Sequence, residues 1–187
     1  MLSCLVPNSW RPHDKGRFKA NSDVALDMLY GKVGVGIIIR DHLGKVLASC
    51  SLPIVTVLAP NVTKATAILR GFIFTNESGL LPCTLESDAQ VVVKLINRKS
   101  IPLSDIVIII SDIICLLDDH LGCKVVFAPR QANMAGHMLA KVGLSSTDDL
   151  FRRILVVWLR LSWAIPQLNC NPFFESMIIS SKKKKKN

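Results

Sequence analysis

The N-terminal part of the chain contains three segments whose hydrophobic patterns are typical of β-strands. Residues 18–26 alternate between apolar and polar positions, residues 34–40 are rich in β-branched side chains, and residues 45–51 form a similar run. Between the last two segments, Asp41 and Gly44 are suited to a hairpin turn. We therefore predict three consecutive antiparallel strands.

A helical period begins at Val62 and predicts a helix over residues 62–78, with Gly79 as its C-cap. The later patterns predict four more elements and a final helix. These are a strand over residues 84–87, a helix over 88–99, a helix over 104–121 capped by Ser104, a strand over 124–128 and a helix over 131–142. The predicted element order is βββαβααβα.

Apolar side chains at helical spacing predict which face of the last two helices is buried. In the helix over residues 104–121 the series runs from Ile106 to Leu121. In the final helix, Met134, Met138 and Leu139 are predicted to face the core rather than a cofactor.

Composition narrows the class of protein. Hydrophobic residues make up 50% and charged residues 20% of the chain, which is typical of a globular protein. The six cysteines show no CxxC spacing, as in reduced intracellular proteins, and no N-terminal segment has the apolar core of a secretory signal. The longest apolar runs, residues 106–117 and 154–165, contain charges and are short for a membrane span. We expect a monomer in the nucleus or cytoplasm, neither secreted nor membrane-bound.

Much of the formal charge of +9 comes from one run of five lysines, Lys182 to Lys186. Without this run the chain is only mildly basic, so charge alone gives a weak indication of nucleic-acid binding. The run itself fits phosphate binding, a nuclear signal, or translation of an A-rich transcript end.

Five ordered motifs carry a family resemblance. They are Trp10-Arg11-Pro12; Lys19, Asn21 and Asp23; Gly34, Gly36, Arg40, Asp41 and Gly44; Glu86-Ser87-Asp88; and Arg130, Asn133, His137, Leu139 and Ala140. Each motif alone is weak, but their order together with the strand order is specific. The chain resembles the plant RNase H-like, reverse-transcriptase-like family that is associated with retroelements.

This resemblance implies an α/β RNase H-like fold, with a five-stranded mixed sheet, three antiparallel strands first, flanked by helices. It implies a domain over residues 16–143, after an N-terminal leader over residues 1–15. Residues 144–187 would form a C-terminal extension with a lysine-rich tail, packed on or beside the domain.

The resemblance also implies an activity, which is cleavage of the RNA strand of an RNA–DNA hybrid by two-metal hydrolysis with Mg²⁺ or Mn²⁺. It assigns the metal to the carboxylates of Asp23 and Asp88. The other two catalytic positions hold Lys64, where the family has Glu, and His137, where plant members often replace Asp. An ammonium at residue 64 would repel metal and is able to pair with Asp23 or Asp88 instead.

Structural roles are open at each of these positions. Asp88 fits the N-cap of the second helix, Lys64 a solvated helix residue and His137 a partly buried histidine with satisfied hydrogen bonds. We favour the structural interpretation for Lys64 and His137, and metal binding for the two aspartates. Glu86 and Asp27 are substitute carboxylates if the site has shifted.

Substrate contact in this fold comes from a face that lies across the minor groove of the hybrid. Asn21, Arg130 and Asn133 are the predicted contributors. Arg130 and Asn133 equally fit a purely structural role, in which they fix the loop and cap the last helix.

Three functions remain open from the sequence. The leading hypothesis is an RNase H type-1-like, nucleic-acid-binding domain whose ribonuclease activity is weakened or lost because Lys64 replaces Glu. The second is an active but divergent RNA–DNA hybrid ribonuclease. The third is a non-enzymatic, retroelement-derived remnant or interaction domain, so whether the chain is an enzyme is left to experiment.

Overall fold

A computed structural model describes residues 9–55, 59–99 and 105–145, which form one sheet with helices on both faces. The elements follow the predicted order. They are β1 (Phe18–Asp27), β2 (Lys32–Arg40), β3 (Val46–Val55), α1 (Pro60–Glu77), β4 (Cys83–Ser87), α2 (Gln90–Asn97), α3 (Val107–Asp119), β5 (Lys124–Phe127) and α4 (Met134–Leu144). No helix in these ranges is long and apolar enough to cross a membrane.

The five-stranded sheet has the order β3-β2-β1-β4-β5. β1, β2 and β3 pair antiparallel, whereas β4 is parallel to both β1 and β5. The predicted hairpin turn is confirmed, because the Asp41 carboxylate accepts hydrogen bonds from the backbone N–H groups of Leu43 and Lys45. The predicted mixed sheet is therefore present, with three antiparallel strands first.

The main core lies between one face of the sheet and helix α1, with α3 behind it. Alternate strand residues point into it, because successive side chains of a strand face opposite sides of the sheet. The largest fully buried apolar side chains are Val35, Ile37, Ile39, Ile68, Phe72, Leu85, Val92, Ile110, Ile113 and Val125. Helix α1 ends at Glu77 with Ser78 as its C-cap, and Gly79, which was predicted to be the C-cap, lies one residue further with φ +67°, a conformation that favours glycine.

Helix α4 covers the other face of the sheet and approaches the backbone of β2 closely. A Cβ added at Gly36 would lie 2.2 Å from both the Ala140 nitrogen and the Gly136 oxygen, and one at Gly34 would lie 2.0 Å from the Ala140 oxygen. The Gly-x-Gly pair of β2 is therefore a packing requirement. It lets the helix lie on the sheet, and the helix in turn carries His137 to β1.

Two sequence predictions of burial are wrong. Met134 and Met138 are 44% and 55% exposed, because the close approach of α4 to β2 admits only small residues such as Gly136 and Ala140 at the contact. Leu121 is 92% exposed, since α3 ends at Asp119 and the periodicity no longer applies beyond it.

Several predictions concern residues outside the described ranges. They are the first eight residues of the leader, the Ser104 cap, the extension from residue 146 onward and the lysine run. The domain boundaries at residues 15 and 143 stay predictions.

Candidate active site

Asp23 and His137 meet on the α4 side of the sheet. The Asp23 carboxylate lies on β1 and is almost fully buried, and its Oδ2 is 3.0 Å from Nδ1 of His137 on α4. On the other side of the ring, Nη2 of Arg130 lies 3.0 Å from Nε2 of His137. A guanidinium can only donate hydrogen bonds, so Nε2 must be the acceptor. The ring then carries its proton on Nδ1 and donates it to Asp23.

Asp88 and Lys64 form the second pair of the site. Asp88 follows the last residue of β4, and its Oδ1 lies 3.2 Å from Nζ of Lys64, which is in the first turns of α1. The pairing of Lys64 with one of the two aspartates, which the resemblance left open, is therefore found with Asp88. Two structural interpretations are therefore wrong. Lys64 is not a simply solvated helix residue, because it is paired with Asp88. Asp88 is not the N-cap of the second helix, because the N-cap of α2 is Ala89 and no side chain caps it.

His137 matches the interpretation of a buried histidine with satisfied hydrogen bonds. The same ring is nevertheless part of the site, because it joins Asp23 to Arg130. The two interpretations of this position are therefore compatible.

The electrostatics of the site are dominated by the buried carboxylate of Asp23 and the neighbouring, half-buried carboxylate of Asp88. Burial raises the pKa of Asp23, and the negative charge of Asp88 raises it further. The backbone N–H of Val24, the His137 ring and the Lys64 ammonium act in the opposite direction without cancelling the effect. The folded chain therefore holds the ionised form of Asp23 at a cost in free energy.

Asp23→Asn is expected to stabilise the fold at neutral pH by on the order of 1 kcal/mol, because the amide oxygen can still accept from His137 while the buried charge is gone. A raised pKa in the folded state means that ionisation lowers stability. The gain in stability should be absent at pH values where the Asp23 carboxyl is protonated. It should grow as the pH rises from 3.8, the ordinary pKa of an aspartate, through the raised pKa of Asp23 in the folded chain. Urea unfolding across this range measures it, and a gain that is equal at all pH values would contradict the argument.

A polar network lies beside the site, and we define it as Trp10, Lys19, Asn21, Arg40, Glu86 and Asn133. Asn21 is its centre, since its amide nitrogen donates to Glu86 Oε2 at 2.9 Å and to Asn133 Oδ1 at 3.1 Å. The Asn133 amide donates in turn to the backbone oxygen of Ser22 at 3.0 Å. These bonds fix β1 to β4 and to the N-terminus of α4.

The outer part of the network consists of two cations and one indole ring. The Arg40 guanidinium donates to Asn21 Oδ1 and stacks on the Trp10 ring at 3.7 Å from the ring centroid. Lys19 pairs with Glu86 at 2.9 Å and lies 5.7 Å from the same ring centroid. Motif residues of the leader, β1, β2 and β4 are therefore joined in one network of hydrogen bonds, an ion pair and ring contacts.

The predicted substrate-binding residues fall into two groups. Asn21 and Asn133 are fully buried, and their side-chain amides bond inside the protein. Asn133 is the N-cap residue of α4, but its side chain makes no cap hydrogen bond. Arg130 is exposed and lies at the edge of the site. Contact with substrate stays a prediction for all three, and exposure favours Arg130.

The two substitute carboxylates lie outside the site. Glu86 is held in the polar network by Lys19 and Asn21. Asp27 accepts from the backbone N–H groups of Leu29 and Tyr30 in the β1–β2 turn. Asp23 and Asp88 are therefore the carboxylates on which a metal site would have to be built.

These residues do not fit a two-metal centre as they stand. Such a centre needs a crowded group of acidic oxygens. Here one oxygen of Asp88 is bonded by an ammonium and one of Asp23 by the His137 ring. Within the three described ranges, no three His, Cys, Asp or Glu side chains are grouped so that they could hold a metal ion.

The sequence contained a signal for part of the site that we did not use. Two glycines within a strand indicate the close approach of another backbone, and Gly34 and Gly36 mark the contact that positions α4. The Arg40–Trp10 stack had no comparable local signal, because it joins a strand end to the leader.

Comparison with known proteins agrees with this geometry. Residues 21–143 match the family model described as reverse transcriptase-like. Among solved structures, RNase H1 from the halophilic archaeon Halobacterium salinarum superposes with a TM-score of 0.63 at 22% identity, covering 69% of this chain and 98% of the other.

Two further structures show the same fold. The N-terminal RNase H domain of a Mycobacterium tuberculosis protein has a TM-score of 0.61 at 16% identity and covers 68% of this chain and 93% of its own. The compost-derived LC11-RNase H1, solved in complex with an RNA/DNA hybrid, has a TM-score of 0.61 at 16% identity, covering 68% and 96%. The comparison with curated proteins gives no match.

Proposed function

Because the chain belongs to the reverse transcriptase-like family, which is RNase H-like, we propose that it binds RNA–DNA hybrids and that its metal-dependent cleavage of them is weak or lost. The observation that carries the proposal is the 3.2 Å contact between Lys64 and Asp88. It places a positive charge of the protein on a carboxylate that a catalytic metal would need.

Binding is supported by the fold and by the cations at the edge of the site. LC11-RNase H1, which shares the fold, was solved with an RNA/DNA hybrid. In this chain the exposed Arg130 and the partly exposed Lys64 flank the two aspartates. Both groups are suited to binding phosphate oxygens. Arg130 can donate two parallel hydrogen bonds from its planar guanidinium, and Lys64 carries a compact positive charge.

Mg²⁺ or Mn²⁺ would be the cofactor if a site formed, with Asp23 and Asp88 as its ligands. Such an ion would polarise the scissile phosphate and activate water. The ion pair and the His137 hydrogen bond must break first, so the arrangement of this chain opposes loading. The active ribonuclease and the interaction domain that binds no nucleic acid are the alternatives that experiment must separate.

We expect the chain to bind a labelled hybrid in EDTA without any Mg²⁺, because its own cations meet the phosphates. Fluorescence anisotropy on a variant with the Lys182–Lys186 run changed to serine removes the contribution of the tail. Affinity should fall with rising salt, as it does wherever phosphates are neutralised by side chains.

A matched pair of variants locates the binding surface. Lys64→Gln should weaken binding several-fold, whereas Lys99→Gln, which removes a lysine paired with Asp118 on the surface, should not. Absent or salt-insensitive binding would favour the interaction domain. Binding that requires Mg²⁺ would favour the active ribonuclease.

A further inference from the structure

Two cysteines face each other at the start of neighbouring parallel strands. Cys83 is the first residue of β4, and Cys123 directly precedes β5. The register pairs Thr84 with Lys124, so the residues before them are opposite each other. The Cys83 backbone N–H donates to Sγ of Cys123 at 3.4 Å.

The geometry of neighbouring strands suits a covalent link between these cysteines. Parallel strands are spaced about 4.7–4.9 Å apart, and the Cα atoms of a disulfide are roughly 4.4–6.8 Å apart. Cys123 lies outside the strand, where its backbone can adjust more easily than that of a residue inside the sheet. The hydrogen bond from the Cys83 amide shows that the sulfur of Cys123 already lies close to β4.

The two thiols differ in access to solvent. Cys83 is fully buried, and burial raises the pKa of its thiol, with a further contribution from the neighbouring Cys123. Cys123 is half-buried. A soluble oxidant therefore reaches half-buried Cys123 before it reaches buried Cys83.

We propose that Cys83 and Cys123 are a redox-active pair that closes to a disulfide by exchange with a low-molecular-weight disulfide such as oxidised glutathione. The Cys123 thiolate attacks one sulfur of glutathione disulfide, which forms a mixed disulfide and releases one glutathione thiol. The Cys83 thiol then attacks Sγ of Cys123 and gives its proton to the departing sulfur, so that the second glutathione leaves as a thiol. Two cysteine thiols are oxidised and one glutathione disulfide is reduced.

The link would fasten the edge strand of the sheet at the end away from the candidate active site. β5 is short and pairs only with β4 among the described strands. Asp88 and Arg130 follow the other ends of these strands. The inference thus stands independently of hybrid binding, which oxidation should leave unchanged.

Peptide mapping of the full chain tests the pair. Trypsin releases Cys83 in residues 71–94 and Cys123 in residues 100–124, which also contain Cys115. Cys115 is exposed on α3, so Cys115→Ser removes the ambiguity. After equilibration in a glutathione redox buffer and alkylation, the two peptides should be linked in most molecules of this variant. Dithiothreitol should separate them.

Oxidation should also raise the unfolding temperature by about 10 °C, because the closed loop restricts the unfolded chain. The same background with Cys123→Ser should show neither the linked peptide nor this rise, and it needs no change at buried Cys83. The proposal is overturned if the peptides stay separate, or if Cys123 accumulates only as the mixed disulfide with glutathione.

Discussion

Replacing Lys64 by glutamate is expected to raise Mg²⁺-dependent cleavage of an RNA–DNA hybrid about 100-fold or more over the wild-type chain. The substitution removes the ammonium that lies 3.2 Å from Asp88. It also adds a carboxylate on α1, so that three acidic side chains converge where one of the two present now is paired with an ammonium. Cleavage of a labelled hybrid at saturating protein measures the change.

Metal binding by this variant has a readout besides activity. Without Mg²⁺, Lys64→Glu should unfold at a lower temperature than the wild type, because like charges are crowded with no counter-ion. Added Mg²⁺ should stabilise the variant and not the wild type.

The control is Lys64→Gln, which removes the positive charge without supplying a ligand and should stay inactive. Robust cleavage by the wild type that is lost in Asp23→Asn would contradict the proposal of a weakened site. So would a Lys64→Glu variant that cleaves no faster than the wild type, since residue 64 would then not be limiting.

Gly36→Ala is expected to destabilise the domain by about 3 kcal/mol or more, which is a large part of the stability of an ordinary domain. The added Cβ would lie 2.2 Å from two backbone atoms of α4, which no rotamer change can relieve. The helix must shift away from β2, and His137 must then move away from Asp23. Urea unfolding measures the loss in stability.

The matched control is Gly136→Ala, on the helix side of the same interface. A Cβ there would meet its nearest neighbour at 3.5 Å, which is an ordinary contact. Alanine should be neutral or should stabilise α4 by about 0.5–1 kcal/mol. Equal losses of stability at both positions would show that the close approach of the two backbones does not determine which residues fit at this contact.

Element order was predictable, because it depends on local periodicity and on turn residues such as Asp41 and Gly44, whereas the five-stranded mixed sheet was predicted only from the family resemblance. Burial on α4 was not, since periodicity places large apolar residues inside, whereas this interface accepts only small ones. Met134 and Met138 were therefore assigned to the wrong face. A helix packed on the glycines of a strand reverses the usual relation between side-chain size and burial.

The candidate site was predictable only as a set of positions. The resemblance left open that Lys64 pairs with Asp23 or Asp88, and the choice of Asp88 depends on how α1 lies against β4. The bond from Arg130 to His137 depends on the turn between β5 and α4. The burial of Asn21 follows from tertiary packing, because neither its own strand nor its neighbours in sequence enclose it.

The sheet order also bears on how the chain reaches its native state. β1, β2 and β3 are consecutive, so their pairing closes only short loops. Asp23 and His137 are 114 residues apart and meet only after α4 has docked on β1 and β2, and Asp88 joins them only after β4 has paired with β1. Since long loops close late and slowly, the candidate active site belongs to the last part of the molecule to assemble. A partly folded chain would hold its hairpin strands in place with the two aspartates still apart.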